Sequence, residues 1–153
     1  MGGFTGRHEE ELILSLSVSE AMAAWFDMPR QGRCTPGTVS VEIEGADRLV
    51  VVLEEERAGT VRFQGRYTMC FAREGDTIRW QTTPDSNMTV RGAARFSATA
   101  GGCRVAFSER IDADLGLNRL VTRAVKPIAD RIMARGQRKY LDALMAELRA
   151  VGG

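Results

Sequence analysis

Residues 103–149 read CRVAFSERIDADLGLNRLVTRAVKPIADRIMARGQRKYLDALMAELR. The opening residues alternate, with Cys103, Val105, Phe107, Glu109 and Ile111 on one face, which is strand periodicity. From Leu115 the pattern becomes that of a long amphipathic helix, interrupted by a lone proline, Pro127, and a lone glycine, Gly136. Its apolar residues step by four: Leu120, Ala124, Ile128, Ile132, then Tyr140, Leu144 and Leu148, with Gly136 in the gap. Four residues advance about 400°, so such a ridge drifts about 40° per step around the helix. Burying it requires a bent helix or a surface that wraps around it, and Pro127 and Gly136 are the candidate bend points. Two halves with different partners are expected. Leu117 to Ile132 would lie over a cavity, and Tyr140 to Leu148 elsewhere on the sheet or against the first helix.

Upstream of this helix, turn residues cut the chain into short alternating segments. Thr38 to Glu44 sets Val39, Val41 and Ile43 inward and Ser40, Glu42 and Glu44 outward. Leu49 to Glu54 is too continuously apolar to assign a face. Val61 to Ala72 gathers Val61, Phe63, Gly65, Tyr67, Met69 and Phe71 on one side. Ile78, Trp80 and Thr82 follow, then Met88, Val90, Gly92, Ala94, Phe96 and Ala98. Before all of these, Glu10 to Val18 reads as a strand with Leu12, Leu14, Leu16 and Val18 on one face. Ser17 stands three residues before Glu20, a capping-box spacing that starts a short helix carrying Ala21, Ala24, Trp25 and Phe26. That helix ends at Asp27-Met28-Pro29, because the residue before proline avoids helical geometry, and a loop then runs to Pro36-Gly37. The order predicts an α+β fold: a curved antiparallel sheet of six to seven strands wrapped around a long C-terminal helix. No repeat or linker is present, so residues 1–153 are expected to form a single domain.

A chain of 153 residues buries roughly 68–70% of its unfolded surface, enough to fold without disulfides or a structural metal. With 27% charged residues and a net charge of +1, it carries neither a disorder signature nor a nucleic-acid signature. Cys34, Cys70 and Cys103 are widely spaced and form no Cys-x-x-Cys, which argues against a zinc site or a dithiol motif. Met1 to Arg7 is too short and polar for a signal peptide, and no apolar run approaches the roughly 18 residues of a membrane span. The expected compartment is the cytoplasm, and no metal or cofactor is called for.

Several stretches together carry a resemblance. Val18-Ser19-Glu20-Ala21 with Trp25-Phe26-Asp27, the Cys34-Thr35-Pro36-Gly37 entry to the second strand, Val90-x-Gly92-x-Ala94-x-Phe96, and Cys103-Arg104-Val105 are similar to the START-like superfamily. This superfamily is also called SRPBCC or helix-grip. The similarity spans residues 8 to 149. Its nearest branches are the proteins similar to the carbon monoxide dehydrogenase G subunit and the polyketide cyclase/dehydrase-type lipid carriers. It implies a hydrophobic-ligand pocket between sheet and helix, and it implies no particular reaction.

The candidate ligand-binding residues on the inward faces are Phe26, Phe63, Tyr67, Met69, Trp80, Thr82, Met88, Phe96, Phe107, Glu109, Ile128 and Ile132. Gly65, Gly92 and Ala94 share those faces, and small side chains mean either close approach or unfilled volume. Tyr67, Thr82 and Glu109 would orient the ligand. Glu109 sits by parity on an apolar face, where a carboxylate must be paired with an arginine, turned outward by a bulge, or used on a ligand or as a general base. His8 is the only histidine, which rules out a histidine-rich metal site, and it reads as an exposed strand-edge residue.

Between Leu115 and Ala150 there are eight basic and three acidic residues. Solvation, with pairing to strand carboxylates such as Glu54, Glu55 and Glu56, is the expected fate of that charge. A membrane surface or acidic partner is the alternative. Nucleic acid is excluded, because the outer arginines lack interleaved aromatics. The favoured reading is a non-catalytic carrier of a small hydrophobic molecule. An enzyme of the cyclase, dehydratase or hydrolase kind, with Glu109 as acid/base and Tyr67 as donor, comes second, since no further proton-transfer group is evident beside Glu109. An adaptor docking through the basic helix comes third. Oligomeric state is not legible.

Overall fold

The computed structural model describes residues 3–152; Met1, Gly2 and Gly153, which the expected 1–153 domain includes, lie outside the described residues. The elements are β1 (Gly3–Leu14), α1 (Val18–Trp25), α2 (Met28–Cys34), β2 (Thr38–Glu44), β3 (Arg48–Ala58), β4 (Val61–Glu74), β5 (Thr77–Thr82), β6 (Thr89–Thr99), β7 (Gly102–Asp114) and α3 (Arg119–Gly152). One seven-stranded sheet has the order β1-β7-β6-β5-β4-β3-β2. Every neighbouring pair is antiparallel. Strands β2 to β7 therefore form a meander, and β1 returns beside the last of them.

Three local readings need correction. The first strand begins at Gly3 and ends at Leu14, not Glu10 to Val18. Its downstream limit is set by Ser17, whose hydroxyl accepts from Glu20 N at 3.1 Å while the Glu20 carboxylate accepts from Ser17 N at 3.0 Å. That closed capping box commits residue 18 onward to helix. Its upstream extension comes from unbroken pairing with β7, Gly3 opposite Asp114. The loop expected after Pro29 is instead α2, with Asp27 at its cap and Pro29 in its first turn, where a missing N–H costs nothing. Finally, β2 is one edge of the sheet, and of its three expected inward residues only Val41 is covered. A Cβ on Gly32 of α2 would stand 3.1 Å from Val41 Cγ1, whereas Val39 and Ile43 are 62% and 47% exposed.

The run that could not be assigned a face contains a register shift, between Val52 and Glu55. Leu49 and Val51 point inward before it, and Ala58 is buried after it, so the bulge flips the parity of β3. Gln64 Nε2 donates to the Leu53 carbonyl at 2.9 Å, satisfying an acceptor at the irregularity.

The core has two parts. In the larger, Trp25 of α1 is fully buried against Trp80, Phe96 and Phe107, with ring centroids 5.6–6.2 Å away. Leu141, Leu144 and Leu148 of α3 join it at 1% exposure or less, each contributing about 1.5–3 kcal/mol. The smaller gathers Phe4, Ala58 and Val125, flanked by Leu115, Leu117 and Met133. The two halves of α3 thus have different partners.

The buried stripe of α3 is Thr122, Val125, Gln137, Leu141, Leu144, Met145 and Leu148. With partly buried Ala129 and Met133 bridging Val125 to Gln137, its residues recur every three or four positions, the ordinary helical period. The expected four-step ridge holds only in its later part: Leu120 and Ile128 are 80% and 43% exposed. Buried Thr122 and Gln137 occupy the stripe that the apolar pattern assigned elsewhere. Ala98, expected inside, is also exposed.

Candidate functional site

The site grows from one row of residues running across the sheet. Register places His8 opposite Glu109, Glu109 opposite Gly92, Gly92 opposite Trp80, and Trp80 opposite Phe71. Because position 92 has no side chain, the Trp80 indole lies flat across it; a Cβ there would come within 2.2 Å of Trp80 Cε2. The indole thereby spans a strand, and its Nε1 donates to Glu109 Oε2 at 2.9 Å. From α3, Gln137 Nε2 donates to the Glu109 carbonyl at 3.3 Å and stands 3.5 Å from Oε1. Gly6 makes room for that amide, since a Cβ there would sit 3.0 Å from Gln137 Oε1. Gln137 Oε1 is itself buried with no partner among the described residues.

Of the three fates open to Glu109, two are removed. The β1–β7 and β6–β7 registers run unbroken through it, so no bulge turns it outward. No ion pair involves it among the described residues, and its partners are an indole and an amide. Burial pushes its carboxyl above the usual range, partly opposed by the Trp80 and Gln137 hydrogen bonds and by the nearby His8. The group is therefore biased toward the neutral acid, which both donates and accepts. Two phenols share this chamber. Burial first, and the Glu109 carboxylate second, hold the Tyr67 and Tyr140 hydroxyls protonated. The Tyr140 hydroxyl donates to Gln31 Oε1 at 2.7 Å, and Gln31 Nε2 donates to the Trp25 carbonyl at 2.8 Å. His8, expected at an exposed edge, is half-buried: it pairs with Glu10 at 2.8 Å and its ring lies 6.0 Å from Phe107.

Glu109, Gln137, Tyr67, Tyr140 and Gln31 form the polar end of a cavity of about 300 Å³, the lower limit of ordinary small-molecule pockets. Its apolar body is lined from both parts of the core, by Phe4, Ala58, Phe63, Met69, Met88 and Met133 among others. Exposed residues mark its mouth: Arg135 and Lys139 from α3, and Glu54, Glu56 and Arg57 from β3. Among the described residues, no three His, Cys, Asp or Glu side chains converge to hold a metal.

Of the residues read from the sequence, Phe63, Tyr67, Met69, Trp80, Met88, Glu109 and Ile132 line this cavity. The other five do not. Phe96 and Phe107, at 1% and 2% exposure, pack on Trp25, and Phe26 packs on Phe71. Thr82 Oγ1 accepts from Val90 N at 3.1 Å, tying the β5–β6 connection. Ile128 faces outward, since the buried stripe passes through Val125 and Ala129 instead. Gln31, Gln137 and Tyr140 complete the polar end without having been singled out. The only sequence signal was Tyr140 on the apolar ridge; the two glutamines carried none. The small residues resolve toward close approach at Gly92, filled by Trp80, and at Gly65, where Leu53 and Met88 would meet a Cβ at 2.9 Å.

No family model matches the chain, and no curated protein matches its sequence. Solved structures do match by shape. A protein of Thermus thermophilus is 16% identical over 97% of this chain and 99% of its own, with a TM-score of 0.66. A Thalictrum norcoclaurine synthase, solved as a point mutant with a transition-state analogue, is 14% identical over 100% and 99%, with a TM-score of 0.63. The di-domain ARO/CYC StfQ of the steffimycin biosynthetic pathway is 12% identical over 94% of this chain and 50% of its own, with a TM-score of 0.58. The chain shares the helix-grip fold of these structures.

Proposed function

We propose that this protein binds a small, predominantly apolar molecule that places one hydrogen-bonding end against Glu109 and its apolar body between β4 and α3. The observation that carries this reading is the cavity itself, with a buried carboxyl at one end and hydrocarbon along its walls. A neutral acid flanked by two protonated phenols suits a carbonyl, ether or hydroxyl better than an anion, whose charge would be desolvated without a cation to meet it. Gly136 supplies the test. It lines the cavity, and a Cβ added there would meet no atom within 4 Å. Gly136→Leu should fill the space without strain and also remove the roughly 1 kcal/mol helix penalty of glycine. Native mass spectrometry and titration with an apolar fluorescent probe should show binding by the parent protein and its loss in Gly136→Leu, with folding stability equal or higher. A parent protein that retains no small molecule and takes up no probe would sink the proposal.

A second reading is favoured by a specific feature. Glu109, Tyr67 and Tyr140 line one cavity, and both phenols are raised by burial and by the Glu109 charge; perturbed acids in a cleft mark candidate acid–base sites. Two of the similar folds, an ARO/CYC and a norcoclaurine synthase, are enzymes by name. Here Glu109→Gln should abolish turnover of a bound substrate while leaving its binding within a few-fold. Equal turnover by both proteins would remove Glu109 from any chemistry.

A further inference from the structure

The exposed side of α3 carries two parallel ridges, both stepping by four. One is cationic: Arg119, Arg123, Arg131, Arg135 and Lys139, interrupted only by Pro127. The other is apolar and changes character along its length. Leu120 is 80% exposed, Ala124 is exposed and Ile128 is 43% exposed, whereas Ile132, Gly136 and Tyr140 line the cavity. The drift of about 40° per step thus carries a continuous apolar track from open surface to cavity wall over roughly 30 Å of helix. The cations beside it have no carboxylate partner among the described residues. The expected pairing with Glu54, Glu55 and Glu56 does not occur; Glu55 meets Arg57 and Arg62 instead, at 3.7 and 3.9 Å. The one acid between Arg119 and Lys139 is Asp130, taken up by Lys126 at 3.0 Å and by the Thr5 N–H at 3.0 Å.

We propose that this face of α3 docks on an anionic lipid bilayer, with Leu120 and Ile128 entering the headgroup boundary and the arginine ridge meeting lipid phosphates and carboxylates. An interfacial helix needs an apolar stripe flanked by cations, and long arginines keep their charge at the headgroups while their stems lie on hydrocarbon. No helix is long and apolar enough to cross a membrane, so the contact is one of surface. Charge complementarity selects an anionic surface. The junction of the track with the cavity mouth selects lipid over an acidic protein, because an apolar molecule could then pass between bilayer and cavity without crossing water. The docking stands on the helix surface and does not depend on which molecule fills the cavity.

Sedimentation of the intact protein with vesicles tests this. Binding is expected to phosphatidylcholine–phosphatidylserine vesicles, weakening as salt rises, with little binding to pure phosphatidylcholine. Each basic residue near an anionic surface is worth about fivefold in partitioning, so the pair Arg123→Glu and Arg131→Glu should weaken binding by well over tenfold. Leu120→Glu with Ile128→Glu, both at exposed positions, should weaken it at least tenfold. Arg73→Glu with Arg95→Glu, exposed on the sheet, changes net charge equally and should leave most binding intact. Failure to sediment with either vesicle, or equal loss in the sheet control, would overturn the proposal. So would a dimer in solution that Leu120→Glu with Ile128→Glu converts to monomer, since a second copy would then own the face. Apolar probe uptake, measured without vesicles, is scored separately, so losing one result does not remove the other.

Discussion

At position 92 the absence of a side chain decides where Trp80 goes, and Trp80 in turn decides how Glu109 is held. An added methyl at 2.2 Å from the indole cannot be absorbed by a rotamer change, because Trp80 is 3% exposed and packed on Phe71 and Phe107. Gly92→Ala should cost about 1–3 kcal/mol by overpacking and shift tryptophan emission as the Trp80–Glu109 bond breaks; urea unfolding followed by fluorescence measures both. The carboxyl itself predicts a pH dependence. Burial raises Glu109 above its ordinary 4.5, so the folded protein holds the proton more tightly than the unfolded chain. Its contribution is complete below 4.5 and is lost as pH rises through the raised folded value. Glu147 works in the opposite sense: hydrogen bonds from Arg33 at 2.7 Å and Arg30 at 3.1 Å hold it at about 2. Its contribution is present above 4.5 and fades as pH falls toward about 2. Glu109→Gln should therefore flatten the alkaline side of a stability–pH curve and leave the acid side unchanged. A curve of the same shape in both proteins would contradict the burial of that carboxyl.

Among the elements, those whose local chemistry is self-sufficient were legible. The Ser17–Glu20 box is one, and its geometry is closed in the fold; Ser17→Ala should cost about 1 kcal/mol, measurable by the same unfolding titration. The alternation of β4, β5 and β7 is another, because one face of each is covered. By contrast, α2 has seven residues with a proline and a glycine among them, too short for a helical period to show. Its helix is fixed by what it packs on: Met28, Gln31 and Cys34 are buried, and Arg30 and Arg33 clasp Glu147 of α3. The ridge on α3 misled for a related reason. Leu120, Ala124 and Ile128 are apolar, and apolar residues on a helix are usually buried, but the sheet does not reach that side. Gln137 lies on the covered side and is buried despite being polar, because Glu109 gives it a partner.

For the whole molecule, the consequence of a cavity is that binding and folding are linked. An apolar ligand held at about a hundred times its Kd should add about 2.7 kcal/mol to stability, and that increment should vanish in Gly136→Leu; thermal unfolding with and without probe reads it directly. A stabilisation that survives in Gly136→Leu would place the ligand elsewhere. The sequence by itself determined the α+β class, the strand–helix order, the capped first helix and the inward parity of Glu109, since each rests on periodicity or on contacts within a few residues. Only the tertiary structure decided that Phe96 and Phe107 are core while Tyr67 and Met88 face open space. It also decided that Trp80 crosses Gly92 to reach Glu109, that His8 lies across from them, and that half of an apolar ridge looks outward. Those outcomes depend on cross-strand register, on the register shift in β3 and on where the helix lies over the sheet. They are distances between residues far apart in the chain, and hydrophobic patterning carries no information about them.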